Sequence, residues 1–204
     1  MRKTYYIGGS PCSGKSTVAE AIAKKYNLYY FKVDDFLDEY TEMGAARGKP
    51  ICSKLKHMTS EQIWMRDPRI QKEEELLFYN EVFEFAMEDI SKISSQSGII
   101  TEGAAFLPHL MKSYNVDKKH YINITPKPEF QIYHFRKRPF VSDVLKNCKD
   151  EEKAFINWME RDILFAKEVR KQSEEMGYWT FINEGMLSIE ELIKKVCVQF
   201  DLEV

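Results

Sequence analysis

Residues 9–17, Gly9, Ser10, Pro11, Cys12, Ser13, Gly14, Lys15, Ser16 and Thr17, fit the pattern GxxxxGK(S/T). An apolar run, Tyr5-Tyr6-Ile7-Gly8, precedes them and a helical pattern, Val18-Ala19-Ala21-Ile22, follows. This order of strand, loop and helix is what the motif requires. The two glycines let the backbone curl into a nest of N–H donors at a helix N-terminus, where the helix dipole adds potential favourable to an anion. Lys15 supplies a point charge for the outer phosphates of a nucleotide, and Ser16 offers a hydroxyl to Mg²⁺. A chain built around such a loop is expected to bind a polyphosphate, ATP with Mg²⁺ in the first instance.

The 204 residues suffice for one α/β domain with an insertion, and no Pro/Gly/Ser linker or repeat divides them. Lys and Arg number 30 against 32 Asp and Glu, a formal charge of −2, so a nucleic-acid or membrane-surface partner is not expected and anion binding must come from local clusters. Cys12, Cys52, Cys148 and Cys197 are too scattered for a zinc site or a disulfide framework. With no room for a signal peptide before the first strand and no apolar run near the ~20 residues of a membrane span, the expected location is the cytoplasm. The sequence carries no signature of oligomeric state.

Aromatic and β-branched runs at 28–33, 98–103, 120–124 and 178–183 read as strands. With the first strand they give a parallel sheet of about five, helices alternating between strands. The connection between the second and third strands is too long for one crossover helix. It is read as an insertion over about 36–96, with a mobile basic loop at 44–50 and a long amphipathic helix at 71–94. A second long helix is expected over about 150–175, with Phe155, Met159, Ala166 and Val169 on its buried stripe and Asp162 as the one poor fit.

Ligands of an open parallel sheet lie beyond the carboxyl ends of its strands. Asp34 and Asp35 end the second strand. A carboxylate there can accept a proton from an attacking hydroxyl or hold Mg²⁺ through water, and it can equally cap the helix that follows. Glu102 ends the third strand, placed to support metal or water, with Gly103 beside it. Arg136, Lys137 and Arg138 end a helix, and Arg161 lies near Trp158 and Phe165 on the later one. Arg136, Arg138 and Arg161 are candidates to neutralise charge on a transferring phosphoryl group. Arg47, Lys49, Arg66 and Arg69 lie in the insertion, where one or two could meet an anionic group on an acceptor.

Together, the phosphate loop, VDDF after the second strand, TEG after the third and RKRP with a later Arg resemble the small P-loop kinases, the superfamily of nucleoside monophosphate kinases, shikimate kinase, chloramphenicol phosphotransferase and uridine kinase-type enzymes. The resemblance implies the P-loop NTPase fold with strand order 2-3-1-4-5, one kinase domain over 1–204, an acceptor-binding insertion and a lid over about 135–161. VDDF is similar to the motif of kinases that phosphorylate a hydroxyl, so the resemblance gives Asp34 the role of base. Asp35 is, from its own position, a metal candidate with Ser16 and Glu102, and the resemblance sets adenine against Asn183 and the two residues after it. The chain departs from the monophosphate kinases in lacking a clear arginine pair for a monophosphate acceptor.

The leading expectation is an ATP- and Mg²⁺-dependent kinase acting on a hydroxyl of a small metabolite or nucleoside. The alternatives are a nucleoside monophosphate kinase and a nucleotide-binding regulatory protein with no acceptor; the lack of an NKxD motif favours ATP over GTP.

Overall fold

The computed structural model describes residues 3–203. In chain order its elements are β1 (Thr4–Gly9), α1 (Lys15–Tyr26), β2 (Tyr29–Lys32), a 3-10 turn (Val33–Phe36), α2 (Leu37–Ala46), α3 (Pro50–Leu55), α4 (Ser60–Trp64) and α5 (Pro68–Lys92). There follow β3 (Ile99–Glu102), α6 (Pro108–Ser113), β4 (Tyr121–Pro126), α7 (Pro128–Phe135), α8 (Phe140–Leu145), α9 (Glu151–Met176), β5 (Trp179–Asn183) and α10 (Ile189–Gln199). The strands form one five-stranded parallel sheet in the order β2-β3-β1-β4-β5, with β1 and β3 registered Tyr5 to Ile100 and Ile7 to Glu102.

Because strand side chains alternate faces, β1 feeds two cores. Tyr5 and Ile7 join Ile100, Ile122 and Ile124 under α1 and α10. Tyr6 points the other way, into a core with Phe31, Phe83, Phe106 and Phe165. A third cluster, Phe135, Val141, Leu145, Phe155 and Trp158, holds α8 against α9 and also takes Trp64 and Cys12. It thus ties the lid region to both the phosphate loop and the insertion. Among the described residues no helix is long and apolar enough to cross a membrane.

The insertion is helical throughout, and here the expected mobile basic loop is corrected. Gly44 to Ala46 close α2 and Pro50 opens α3, leaving a three-residue turn. Its cations are pinned to α5: Lys49 lies 2.9 Å from Glu84, Arg47 lies 3.6 Å from Glu84 and 3.7 Å from Glu88, and both cations sit over the Phe85 ring.

Candidate active site

The phosphate loop is shaped by close approach. Gly9 has φ +124°, and a Cβ there would lie 1.8 Å from the Ile124 carbonyl oxygen, so only glycine lets β1 turn into the loop against β4. Gly14 (φ 91°) caps α1, and Cys12 takes φ 60°. Lys15 is buried and its Nζ donates to the Ser10 carbonyl at 2.9 Å, which holds the ammonium across the mouth of the nest. Pro11 to Thr17, Asp34 and Arg138 line one small pocket.

The 3-10 turn carrying Asp34 lies on Gly103, where a Cβ would stand 2.8 Å from Val33 Cβ and 3.3 Å from Asp34 Oδ1. The glycine of TEG therefore lets the acidic turn approach the end of β3. Asp34 and Glu102 thereby become neighbours. Glu102 is fully buried, accepts from Tyr30 Oη at 3.2 Å and faces Ser16, while its Oε2 has no hydrogen-bond partner. Desolvation raises its pKa and the Asp34 charge adds to that; Lys15, Ser16 and Tyr30 work the other way.

Asp35, expected at the metal, is not brought to this pocket. It is well exposed and ion-paired to Lys32 on the preceding strand, because consecutive residues of a 3-10 turn point about a third of a turn apart. Arg138 shares the phosphate-loop pocket with Cys12 and Lys15; burial raises the Cys12 thiol pKa while Arg138 and Lys15 oppose the shift. Arg136 is placed elsewhere. Its guanidinium makes a bidentate pair with Glu152, both contacts 2.8 Å, over the Phe155 ring on the outer face of the lid. We expect Arg138→Ala to lower turnover about 100-fold and Arg136→Ala to change it less than about twofold, since an exposed pair contributes little. Steady-state rates of the two variants check this.

Arg161 does not line the phosphate-loop pocket. Its Nη1 lies 2.8 Å from Glu75, its Nε 2.6 Å from Asp162, and its guanidinium covers the Trp64 ring. Asp162 is fully buried, and desolvation pushes its pKa up to about 6 against the pull of Arg161, Lys15 and Arg138. Burial likewise drives Glu75 to about 8, Arg161 opposing and Asp162 and Asp34 reinforcing. These two acids were not among the sequence candidates. The signal for Asp162 was present, a carboxylate on an apolar stripe; Glu75 sits in an acidic run, Glu73 to Glu75, where nothing distinguishes the buried member.

Next to the triad opens a cavity of about 350 Å³, lined by Leu37, Trp64, Arg66, Gln71, Phe78 and Tyr79 among others. Trp64 thus walls this cavity, whereas Phe36 stacks between Phe31 and Tyr40 in the core. Of the other insertion cations, Arg69 is exposed and pairs with Asp67. Asn183, expected at adenine, donates to the Ser13 carbonyl at 3.0 Å and accepts from the Gly185 amide at 3.0 Å. It braces the phosphate loop from the end of β5, beside a shallow pocket that includes Phe181, Glu184 and Met186.

A family model described as isopentenyl transferase matches residues 2–179. No curated protein sequence matches. Among solved structures, shikimate kinase from Bacteroides thetaiotaomicron is similar with a TM-score of 0.54 at 18% identity, over 99% of this chain and 100% of that one. A gluconokinase from Sinorhizobium meliloti gives 0.50 at 11%, over 98% and 92%. At such identities the likeness establishes the fold, which is that of the small P-loop kinases. The family match takes in β1, the phosphate loop and everything up to the first residue of β5; on this P-loop kinase scaffold, the chain belongs to the isopentenyl transferase family.

Proposed function

We propose that the protein is an ATP- and Mg²⁺-dependent phosphotransferase that moves the γ-phosphoryl group to a hydroxyl of a small molecule. The observation that carries this reading is that Asp34 lines the same pocket as Lys15, Ser16 and Arg138 and lies close enough to the Glu75 cavity to raise the pKa of its acid. A hydroxyl presented from the cavity meets a carboxylate base on one side and a phosphate cradle on the other. Lys15 and the loop amides bind the phosphates, and Arg138 neutralises charge that spreads over the transferring oxygens.

The residues fit Mg²⁺. Ser16 offers a hydroxyl, and the buried Glu102 keeps an unpartnered oxygen beside it. When bound, Mg²⁺ supplies charge to the phosphate oxygens.

Family membership favours a second reading, transfer of an isopentenyl group. In it the same cradle would hold the anionic leaving group of the donor, and Asp34 would take the acceptor's proton. Incubation with γ-labelled ATP or with a labelled prenyl diphosphate, each against pooled acceptors, separates the two. We expect label from ATP in a hydroxyl pool, lost in Lys15→Ala. Label only from the prenyl donor would replace the kinase reading with the second; nucleotide binding with transfer from neither would leave a regulatory protein.

A further inference from the structure

We propose that the cavity on the acceptor side takes a small hydroxyl compound rich in hydrogen-bond donors, uncharged or cationic, such as a polyol or an amino sugar, and rejects acceptors that carry a carboxylate or phosphate. The inference rests on the reading of this cavity as the acceptor site of a phosphotransferase.

Charge is the first argument. The two arginines that line the cavity are already committed: Arg66 lies 2.6 Å from Glu74, and Arg161 lies between Glu75 and Asp162. The lining carries three acidic residues, Asp38, Glu74 and Glu75, against those two arginines, and Lys54 also meets Glu74 at 2.6 Å. An anionic acceptor would enter a region with no surplus positive charge, where each guanidinium it could meet is already balanced by a carboxylate.

Unmet acceptors are the second argument. Gln71 Nε2 donates to the backbone carbonyls of Trp64 (3.4 Å) and Arg66 (2.9 Å). Both partners can only accept, so the amide orientation is fixed and Oε1 is the atom left over. It has no partner, although Gln71 lines the cavity and is more than nine-tenths buried; Glu75 Oε2, likewise unpartnered in the same lining, becomes an acceptor once the carboxyl ionises. Buried acceptors without donors are costly, and a ligand bearing hydroxyl or ammonium groups relieves the cost after a small side-chain shift. Leu37 and Phe78 add apolar walls suited to the C–H face of a sugar-like ring.

The test is calorimetric, on the full chain with Mg²⁺ and a non-hydrolysable ATP analogue. Glucosamine and sorbitol are titrated against gluconate, shikimate and AMP. We expect at least one of the first pair to bind ten times or more tighter than each of the acids, and Glu75→Gln to weaken glucosamine about tenfold. Tighter or equal binding of an acid, or no binding by either donor-rich compound, overturns the inference. The wild-type comparison stands if the variant does not fold. Binding of the donor-rich set without transfer of label would instead count against the phosphotransferase reading, and label transferred to an acid would overturn only the present inference.

Discussion

Asp34→Asn should lower kcat by about 10²- to 10⁴-fold while leaving the Kd for ATP within a few-fold of wild type. The substitution keeps the size of the side chain on Gly103, so the 3-10 turn can retain its approach to β3. It removes only the ability to take a proton. The neighbouring charges make the prediction sharper. Asp34 raises the pKa of Glu102, so its loss eases ionisation of the acid that faces Ser16 and does nothing to weaken the metal side of the site. Loss of a negative charge near the cradle would also favour a polyphosphate. A base role therefore separates turnover from affinity. Kinetics at saturating acceptor, with ATP affinity measured by titration, decide it; equal losses in both quantities would show that Asp34 organises the loop, and loss in neither that it does not accept the proton.

What the sequence made legible follows from how local the controlling physics is. The phosphate loop could be read residue by residue because its geometry is set within nine residues, and α1 runs over Lys15–Tyr26 as its periodicity predicts. The strands were found to within a residue or two, because buried parallel strands are apolar runs bounded by turn residues. Side-chain direction at the ends of those strands was less visible. Asp34 and Asp35 are adjacent and alike, and only the packing of Val33 on Gly103 decides that Asp34 faces the pocket while Asp35 meets Lys32. Arg136 and Arg138 pose the same problem on α7 and the turn after it. Glu152, which holds Arg136 on the outer face, lies on α9, remote in sequence. Asn183 was placed at the correct strand end, but its partner is a loop carbonyl, an interaction with no sequence mark. The insertion was misread as partly mobile for a related reason: Arg47 and Lys49 find their carboxylates on α5, beyond the reach of local pattern.

Arg161→Met should destabilise the protein by about 3–5 kcal/mol above pH 8 and by far less near pH 5. Arg161 is the cation shared by two buried acids, and methionine keeps much of its volume while leaving those acids without a counter-charge. The sign follows from the raised pKa values. A carboxyl whose folded pKa lies above its unfolded value contributes stability that is complete below the unfolded pKa, near 4, and is lost as pH rises through the folded one. For Asp162 and Glu75 those folded values are about 6 and about 8. Near pH 5 both acids are largely neutral in the wild type, Arg161 has little to balance, and its removal is tolerated. Above pH 8 the wild type carries both negative charges against the guanidinium. The variant must then either bury them unpaired or keep protons that the unfolded chain has released. Urea unfolding at pH 5 and pH 8.5 measures the difference directly, and Glu75→Gln in the same background should recover part of the loss at the higher pH only. A penalty independent of pH would mean that Arg161 acts through its packing on Trp64, and that the acids beside it do not change charge in this range.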